Sequence, residues 1–263
     1  MAESNAPQRS NDGTVGKALE ILDRVAEYGR PVRFAELLAA SPYPKATLYR
    51  LLQTLTNQGM LGFNEDQQTY SPGLRLVRLA HAAWRQSSLA PVARDHIDAL
   101  SAEVGETIHL AQLDQGQVLY VDKRNARTPI EMFSQAGKIG PGFCTGVGKA
   151  MIAHLDGPAR EDAIRRQAYV QHTPHTLATE AAFRAELDEI QKAGIAFDRE
   201  EHEPGIICIA APILTNKGRV IGALSITSST RRQSLEGLNA LRPLLLKTAT
   251  DIAEAAENWQ FPT

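Results

Sequence analysis

SPYPKATLYRLLQTLTNQGMLGFNEDQQTY, residues 41–70, is the stretch that decides how the N-terminal part of this chain folds. Four leucines recur at helical spacing and predict one buried stripe: Leu48, Leu51, Leu52 and Leu55. Pro44 suits the first turn of this helix, and Gly59 suits its end. Residues 60–63 and 68–70 then predict a short hairpin.

The predicted helix also has a polar face, which carries Lys45, Thr47, Tyr49 and Arg50. A cationic helix followed by a hairpin is typical of a winged helix-turn-helix, in which the helix enters the DNA major groove and the hairpin flanks it. An ordinary amphipathic helix beside a hairpin is the alternative. The residues upstream favour the first interpretation, and we predict that these four side chains contact DNA.

Upstream, the sequence predicts two further helices. Apolar residues at helical spacing indicate the first: Val15, Ala18, Leu19, Leu22, Val25 and Ala26. The second is short, follows Pro31, and contains Phe34, Leu37 and Leu38. We therefore assign residues 14–73 to a winged helix-turn-helix domain. Residues 1–13 are polar and aperiodic, and we expect a disordered tail there.

Residues 74–88 predict a strongly apolar linker helix that begins after Pro72 and Gly73. A helix that is apolar over so much of its surface must pack against other residues. Its position between two domains favours pairing with a second subunit. Packing on its own C-terminal domain is the alternative.

Residues 89–263 predict a second domain that mixes strands and helices. Strands are predicted at residues 107–113, 117–123, 130–134, 195–197, 206–214 and 219–227. Helices are predicted at residues 89–104, 145–155, 158–166, 180–193 and 235–258. Because the strands come in runs rather than in strict alternation with helices, we predict an α+β domain built on an antiparallel sheet.

Composition narrows the class of protein. A length of 263 residues suits two medium domains, and 43% hydrophobic residues supply a core for each. The net charge of −2 argues against a protein that coats nucleic acid indiscriminately, although residues 14–78 carry a mild positive excess. We expect a cytoplasmic protein, since no apolar run is long enough to span a membrane and two cysteines make no disulfide framework.

The glycine-rich run 140–149, GPGFCTGVGK, is the first candidate for ligand binding. It is not a Walker loop, because Phe143 replaces the first glycine and Ala150 replaces the magnesium-binding hydroxyl. It also lacks the third glycine of a dinucleotide fingerprint. A glycine-rich loop that enters a helix still presents N–H groups and a positive dipole end to a small anion. A tight turn that needs glycine only for its backbone is the alternative.

A second candidate consists of polar residues on predicted apolar strands: Asp198, Cys208, Ser225 and Thr227. Such groups need hydrogen-bond partners, which can be other side chains or a ligand that completes a pocket. We predict no metal site, because His172, His175 and the run at residues 200–203 are expected to form solvated surface. We predict no cofactor either.

Three segments resemble the IclR family of transcriptional regulators: KATLYRLLQTL, TGVGKAMIAHL, and DREEHEPGIICIAAPI followed by GRVIGALSIT. The resemblance extends from about residue 15 to the last helix. It implies a winged helix-turn-helix joined by a linker helix to a GAF-like effector domain. It also implies homodimers formed through the N-terminal part, commonly assembled as dimers of dimers, and a branch similar to regulators of sugar-acid catabolism such as the 2-keto-3-deoxygluconate regulator.

The resemblance also implies which residues contact an effector. These are the backbone N–H groups of Gly146 and Val147, an apolar wall at Met132, and the side chains of Asp198, Cys208, Ser225 and Thr227. Thr227 stands where a serine is common in the family, which keeps the hydroxyl and adds a methyl group.

We therefore expect a regulator that binds double-stranded operator DNA under the control of a small carboxylate metabolite, and that is not an enzyme. Two other interpretations remain. One is an enzyme that uses Cys208 as a nucleophile, although no sequence spacing ties a histidine to it. The other is a thiol redox sensor that uses Cys144 and Cys208.

Overall fold

The computed structural model of the protein describes residues 13–87 and 89–257. The chain forms two compact units, and the boundary between them falls between residues 83 and 84. The predicted tail lies outside the described residues except for Gly13, which already belongs to the first helix. No helix in the described ranges is long and apolar enough to cross a membrane.

The N-terminal unit contains three helices and a small antiparallel sheet. The helices are α1 (Gly13–Glu27), α2 (Phe34–Ala40) and α3 (Lys45–Asn57). The strands are β1 (Val32–Arg33), β2 (Leu61–Asn64) and β3 (Thr69–Pro72), in the order β1-β3-β2. The hairpin β2–β3 is the predicted wing. The two-residue strand β1 was not predicted, because it is too short to show a period.

The leucine stripe of α3 forms the centre of this unit, as predicted. Leu48, Leu51, Leu52 and Leu55 are all buried. They pack with Ile21 and Val25 of α1, Leu37 of α2 and Leu61 of β2. Gly59 ends the turn after α3 with a left-handed φ of 69°, a conformation that glycine adopts without strain.

Helix α4 (Leu74–Ser87) continues from the first unit into the second. Leu76 packs on the core of the N-terminal unit, whereas Trp84 packs on the core of the C-terminal unit. Other apolar side chains of α4 remain in solvent within this chain, with Leu74 86% and Val77 65% exposed.

The C-terminal unit is a six-stranded antiparallel sheet with helices on both faces. Its strands are β4 (Thr107–Asp114), β5 (Gln117–Arg124), β6 (Ile139–Gly140), β7 (Ala196–Arg199), β8 (Ile206–Leu214) and β9 (Val220–Ser229), in the order β6-β5-β4-β9-β8-β7. Its helices are α5 (Ala90–Val104), α6 (Gly146–Ala153), α7 (Gly157–Arg165), α8 (Glu180–Ala193), α9 (Leu235–Ala240) and α10 (Arg242–Ala256).

The two faces of this sheet differ in side-chain size. Successive strand residues point to opposite faces, so large residues such as Leu110, Ile209 and Leu224 pack with α5 and α10. The alternate positions carry small residues such as Ala210 and Ala223, which pack with α6. The small side chains bring the backbone of α6 close to the sheet, and this closeness shapes the site described below.

Two predicted elements were wrong. Residues 130–134 form no strand, because their backbone is held by side chains instead of a neighbouring strand: Lys123 Nζ donates to the Ser134 carbonyl, and the Phe133 N–H donates to Glu203. The sheet edge is β6 instead. The single closing helix is in fact α9 and α10, because Pro243 lacks an N–H and fits only the first turn of a new helix.

Candidate functional site

The outward face of α3 is the first candidate site. Lys45, Tyr49 and Arg50 are exposed, whereas Thr47 is half-buried. The Tyr49 ring meets the Phe34 ring edge-on at a centroid distance of 6.2 Å, which fixes its direction. Neither Lys45 nor Arg50 forms an ion pair with any described residue, so their charges are available to a partner.

A shallow groove extends this face towards the wing. It begins at Lys45 and Tyr49, passes Gln53, and ends at Phe63 and Gln68 of the β2–β3 hairpin. Arg33 also lines it. The sequence did not indicate Arg33, because β1 had not been recognised.

The second candidate site is a small cavity between the sheet and the start of α6. All seven residues that were predicted to contact an effector line it: Met132, Gly146, Val147, Asp198, Cys208, Ser225 and Thr227. The other lining residues are His109, Tyr120, Ser134, Thr145, His202, Glu203 and Ile206. The cavity volume is 30 Å³, which is space for roughly two water molecules.

Strand register explains how these residues converge. His109 pairs with Ser225, Cys208 pairs with Thr227, and Asp198 pairs with Cys208. All of these lie on the sheet face with the small side chains. Ala210 lies on the same face, and its small side chain leaves room for the first turn of α6.

Position 146 requires a glycine because the backbone there lies very close to the Cys208 side chain, and not because of its backbone angles. A Cβ atom at this position would overlap the Cys208 sulfur. The backbone amides of Gly146 and Asp198 point towards the same sulfur, and burial raises the pKa of Cys208 to about 12. The Cys208 thiol is therefore neutral, and a neutral buried thiol is a poor nucleophile. Burial raises the pKa of Cys144 as well.

Asp198 is the buried carboxyl group of the cavity. Its Oδ1 accepts the Glu201 N–H at 2.8 Å. Burial, followed by the nearby Glu201 carboxylate, raises the pKa of Asp198 to about 7. Near neutral pH this group is thus present in both forms, and it can donate a hydrogen bond as well as accept one.

The run at residues 200–203 is not the solvated surface that the sequence suggested. Glu201 is only 2% exposed and pairs with the fully buried Lys149, whose Nζ lies 2.5 Å from Glu201 Oε1 and 3.1 Å from Glu186 Oε1. His202 and Glu203 line the cavity. The ion pair joins residues that are 52 positions apart, so no local pattern could reveal it. His172 and His175 are exposed, as predicted.

The sequence interpretation also missed His109, Tyr120 and Ser134. His109 is buried on β4, and burial lowers the pKa of its imidazole to about 3, so the ring is neutral. Tyr120 packs on it with a ring-centroid distance of 5.4 Å. The sequence pattern could have identified His109, because it is a polar residue on an apolar strand, and the same argument identified Asp198.

The described lining of the cavity contains no lysine or arginine, although it contains the carboxyl groups of Asp198 and Glu203. Any negative group that binds there must therefore be held by N–H and O–H donors. The N–H groups in the first turn of α6 and the hydroxyls of Ser225 and Thr227 are donors of this kind.

Comparisons with known proteins identify the same protein family for both units. The IclR helix-turn-helix domain matches residues 14–65, and the C-terminal domain of the bacterial transcriptional regulator IclR matches residues 81–254. The Escherichia coli regulator XynR is 31% identical over 219 residues, covering 83% of this chain and 87% of XynR. The E. coli regulator KdgR is 30% identical over 255 residues and 97% of both chains.

Solved structures show the same architecture. The Thermotoga maritima IclR structure matches with a TM-score of 0.73 and 26% identity, covering 92% of this chain and 97% of that one. An IclR homologue from Microbacterium hydrocarbonoxydans, solved in complex with 4-hydroxybenzoate, has a TM-score of 0.78, covers 93% and 99%, and at 21% identity shows the fold alone. The chain therefore belongs to the IclR family of DNA-binding, helix-turn-helix transcriptional regulators.

Proposed function

We propose that this regulator binds double-stranded operator DNA through α3 and the wing, and that a small organic acid in the cavity controls this binding. The observation that carries the proposal is the convergence of seven predicted contact residues from distant parts of the chain on one small cavity. In this proposal residues 14–73 bind DNA, residues 74–88 link the domains, and residues 89–263 bind the effector in the cytoplasm.

The proposed DNA contacts follow from exposure and charge. Lys45 and Arg50 are exposed without ion pairs to described residues, so binding to DNA need not break existing contacts. Arg50 can reach a guanine edge with two hydrogen bonds, while Lys45 at the start of α3 suits a phosphate. Thr47 and Tyr49 complete the face.

The chemistry of the lining supports a monocarboxylate as effector. The first turn of α6 and two hydroxyls supply donors for one carboxylate group. Asp198 and Glu203 disfavour a second negative charge, and Asp198 suits a hydroxyl or carbonyl group of the ligand. The complex of an IclR homologue with 4-hydroxybenzoate, a hydroxylated monocarboxylate, is consistent with this class.

A cavity of 30 Å³ must enlarge before any such acid can enter. We propose that the segment 125–138, which contributes Met132 and Ser134 to the lining, moves to admit the ligand. Its contacts with the rest of the domain near the cavity include Lys123 to the Ser134 carbonyl, His109 to the Ser134 hydroxyl, and the Phe133 N–H to Glu203.

The proposed assembly is a homodimer that forms a dimer of dimers. Helix α4 exposes Leu74, Val77 and Leu79, and α1 exposes Val15 and Leu19. A second subunit would remove this apolar surface from water. Two recognition helices related by a two-fold axis would then reach half-sites about 34 Å apart.

The other two interpretations receive no support. An enzyme or a redox sensor that uses Cys208 needs an accessible sulfur with a lowered pKa, whereas Cys144 and Cys208 are buried and their pKa values are raised. The relatives described above are named as transcriptional regulators.

The experiment that tests the proposal has two steps. The purified protein first selects DNA from a random library, and a fluorescent copy of the selected sequence is then titrated in an anisotropy assay. Pyruvate, D-gluconate and 4-hydroxybenzoate serve as probe acids. We expect a near-palindromic selected sequence and a changed DNA affinity with at least one acid. Failure to select any sequence would contradict the proposed DNA binding.

A further inference from the structure

In the function proposed so far, His109 only holds the segment 125–138 through Ser134, yet its ring joins three hydroxyl groups inside the cavity. Nδ1 lies 3.3 Å from Ser225 Oγ and 3.2 Å from Thr227 Oγ1. Nε2 lies 2.7 Å from Ser134 Oγ. A neutral imidazole has one N–H donor and one acceptor nitrogen, so these contacts bear on which nitrogen carries the proton.

The contact distances favour a proton on Nδ1. An acceptor nitrogen has one lone pair, which suits the single short contact between Nε2 and the Ser134 hydroxyl. An N–H can be shared between two acceptors, which suits the two longer and nearly equal contacts of Nδ1. Within residues 13–87 and 89–257 the Ser134 hydroxyl has no other acceptor, so a proton on Nε2 would leave the hydroxyl proton unpaired.

A proton on Nδ1 determines the polarity of the two neighbouring hydroxyls. The oxygens of Ser225 and Thr227 accept from His109 and keep their own protons. The two oxygens lie 3.4 Å apart, so one hydroxyl can donate to the other. At least one hydroxyl proton is then left to point into the cavity.

We propose that His109 is a positioning residue that turns Ser225 and Thr227 into hydrogen-bond donors towards a carboxylate or carbonyl oxygen of the effector. The inference rests on the proposed function, because it requires an organic acid in this cavity. It explains how a lining without lysine or arginine holds an anionic oxygen: the hydroxyl protons act together with the N–H groups of α6.

The first test measures the proton position directly and needs no ligand. Full-length protein with ¹⁵N-labelled histidine rings is examined by long-range ¹H–¹⁵N correlation spectroscopy, and His109 is assigned by the signal that a His109→Asn variant loses. We expect the pattern of the Nδ1–H tautomer, unchanged from about pH 5 to about pH 8, since burial lowers the pKa of His109 to about 3. The Nε2–H pattern would overturn the inference.

The second test compares two variants by calorimetric titration with pyruvate, D-gluconate and 4-hydroxybenzoate. His109→Asn keeps an N–H donor near the Nδ1 position, whereas His109→Leu has none. For the acid that binds the wild type most tightly, we expect roughly tenfold or greater loss of affinity in His109→Leu and near-normal affinity in His109→Asn. Thermal melts identify any variant that does not fold.

The outcomes separate this inference from the proposed function. Equal affinity in the wild type and a folded His109→Leu would overturn the role of His109 while leaving the cavity as the effector site. If none of the three acids binds the wild type, the effector half of the proposed function is contradicted. In that case the spectroscopic test still determines which nitrogen of His109 carries the proton.

Discussion

The recognition helix and the effector cavity differ in how their charges are compensated. On α3, Lys45 and Arg50 are exposed and unpaired with described residues. Next to the cavity, Lys149 is fully buried and pairs with Glu186 and Glu201. Side-chain charges that bind a large external partner stay in solvent, where an unpaired charge costs little free energy. A charge inside the domain must bring its partners with it, because an unpaired buried charge is costly.

This difference also explains why the cavity itself has a neutral donor set. An additional cation facing the ligand would have to be withdrawn from water even when the effector is absent, which is costly. Hydroxyl and N–H donors avoid that cost, since they can bond to each other or to water in the empty site. The five predictions below test the contrast between the two regions.

The largest expected effect comes from removing the buried cation. Lys149→Met leaves the buried Glu201 with only the more distant Arg199, at 3.9 Å, as a cationic partner, and we expect the C-terminal unit to lose about 3–5 kcal/mol of unfolding free energy. Hydrogen exchange of the α6 and β8 amides in urea measures this unit separately. Lys45→Met is the matched control on α3 and should leave stability near that of the wild type. A Lys149→Met protein as stable as the wild type would contradict the proposed difference in charge compensation between the two regions.

A truncation on the inner face of α3 should have the next largest effect. Leu51→Ala removes a buried side chain from the centre of the N-terminal unit, so we expect a loss of about 2–5 kcal/mol in stability. Chemical denaturation followed by circular dichroism measures it. Exposed Gln53, two residues along the same helix, provides the control as Gln53→Ala. Equal stability of the two variants would mean that the buried face has been assigned wrongly.

Arg50→Ala should change binding instead of folding. Because Arg50 is exposed and lies on the proposed DNA face, we expect selected-DNA affinity to fall by about 1–3 kcal/mol with the melting temperature unchanged. Anisotropy over a salt titration measures the affinity. Normal binding by this variant at every salt concentration would remove Arg50 from the interface.

A separate prediction concerns the pH dependence that Asp198 gives to stability. Its pKa is raised to about 7 in the folded state, above the ordinary value of 3.8. Between these values the folded state holds a proton that the unfolded state has lost, so this group's contribution to stability falls as pH rises through the window. Above about pH 7 the contribution is constant.

Replacing the group isolates its contribution from that of other carboxylates. The stability of Asp198→Asn relative to the wild type should therefore increase from pH 4 to pH 7 and then level off, in urea titrations at each pH. A difference that stays constant across this window would show that the pKa of Asp198 is not raised.

The parts of the fold that sequence could predict are those with local periodicity. The leucine stripe of α3 and the alternation along β8 and β9 each repeat within a few residues, so pattern alone identified the helix, the strands and the face that carries Ser225 and Thr227. The same reasoning identified Asp198 and Cys208, and the glycine-rich run contained Gly146 and Val147, whereas Met132 came from the family resemblance.

The parts that sequence could not predict depend on distant contacts. Glu201 is held by Lys149 across 52 residues, which made a buried ion pair look like an exposed acidic run. Residues 130–134 have the composition of a strand, but Lys123 and Glu203 take the backbone groups that a strand would pair. His109 lies on an apolar strand, but its partners Ser134, Ser225 and Thr227 are 25 to 118 positions away, so no local pattern links it to them.

The central claim is that the cavity controls DNA binding, and one measurement tests it most directly. The DNA affinities of the wild type, Asp198→Asn and Ser225→Ala are measured by anisotropy with and without the probe acid that most changes wild-type binding. We predict that both variants bind DNA normally without the acid and that their response requires roughly ten- to a hundredfold more of it. Full sensitivity to the acid in both variants would contradict the claim and would assign effector binding to another part of the protein.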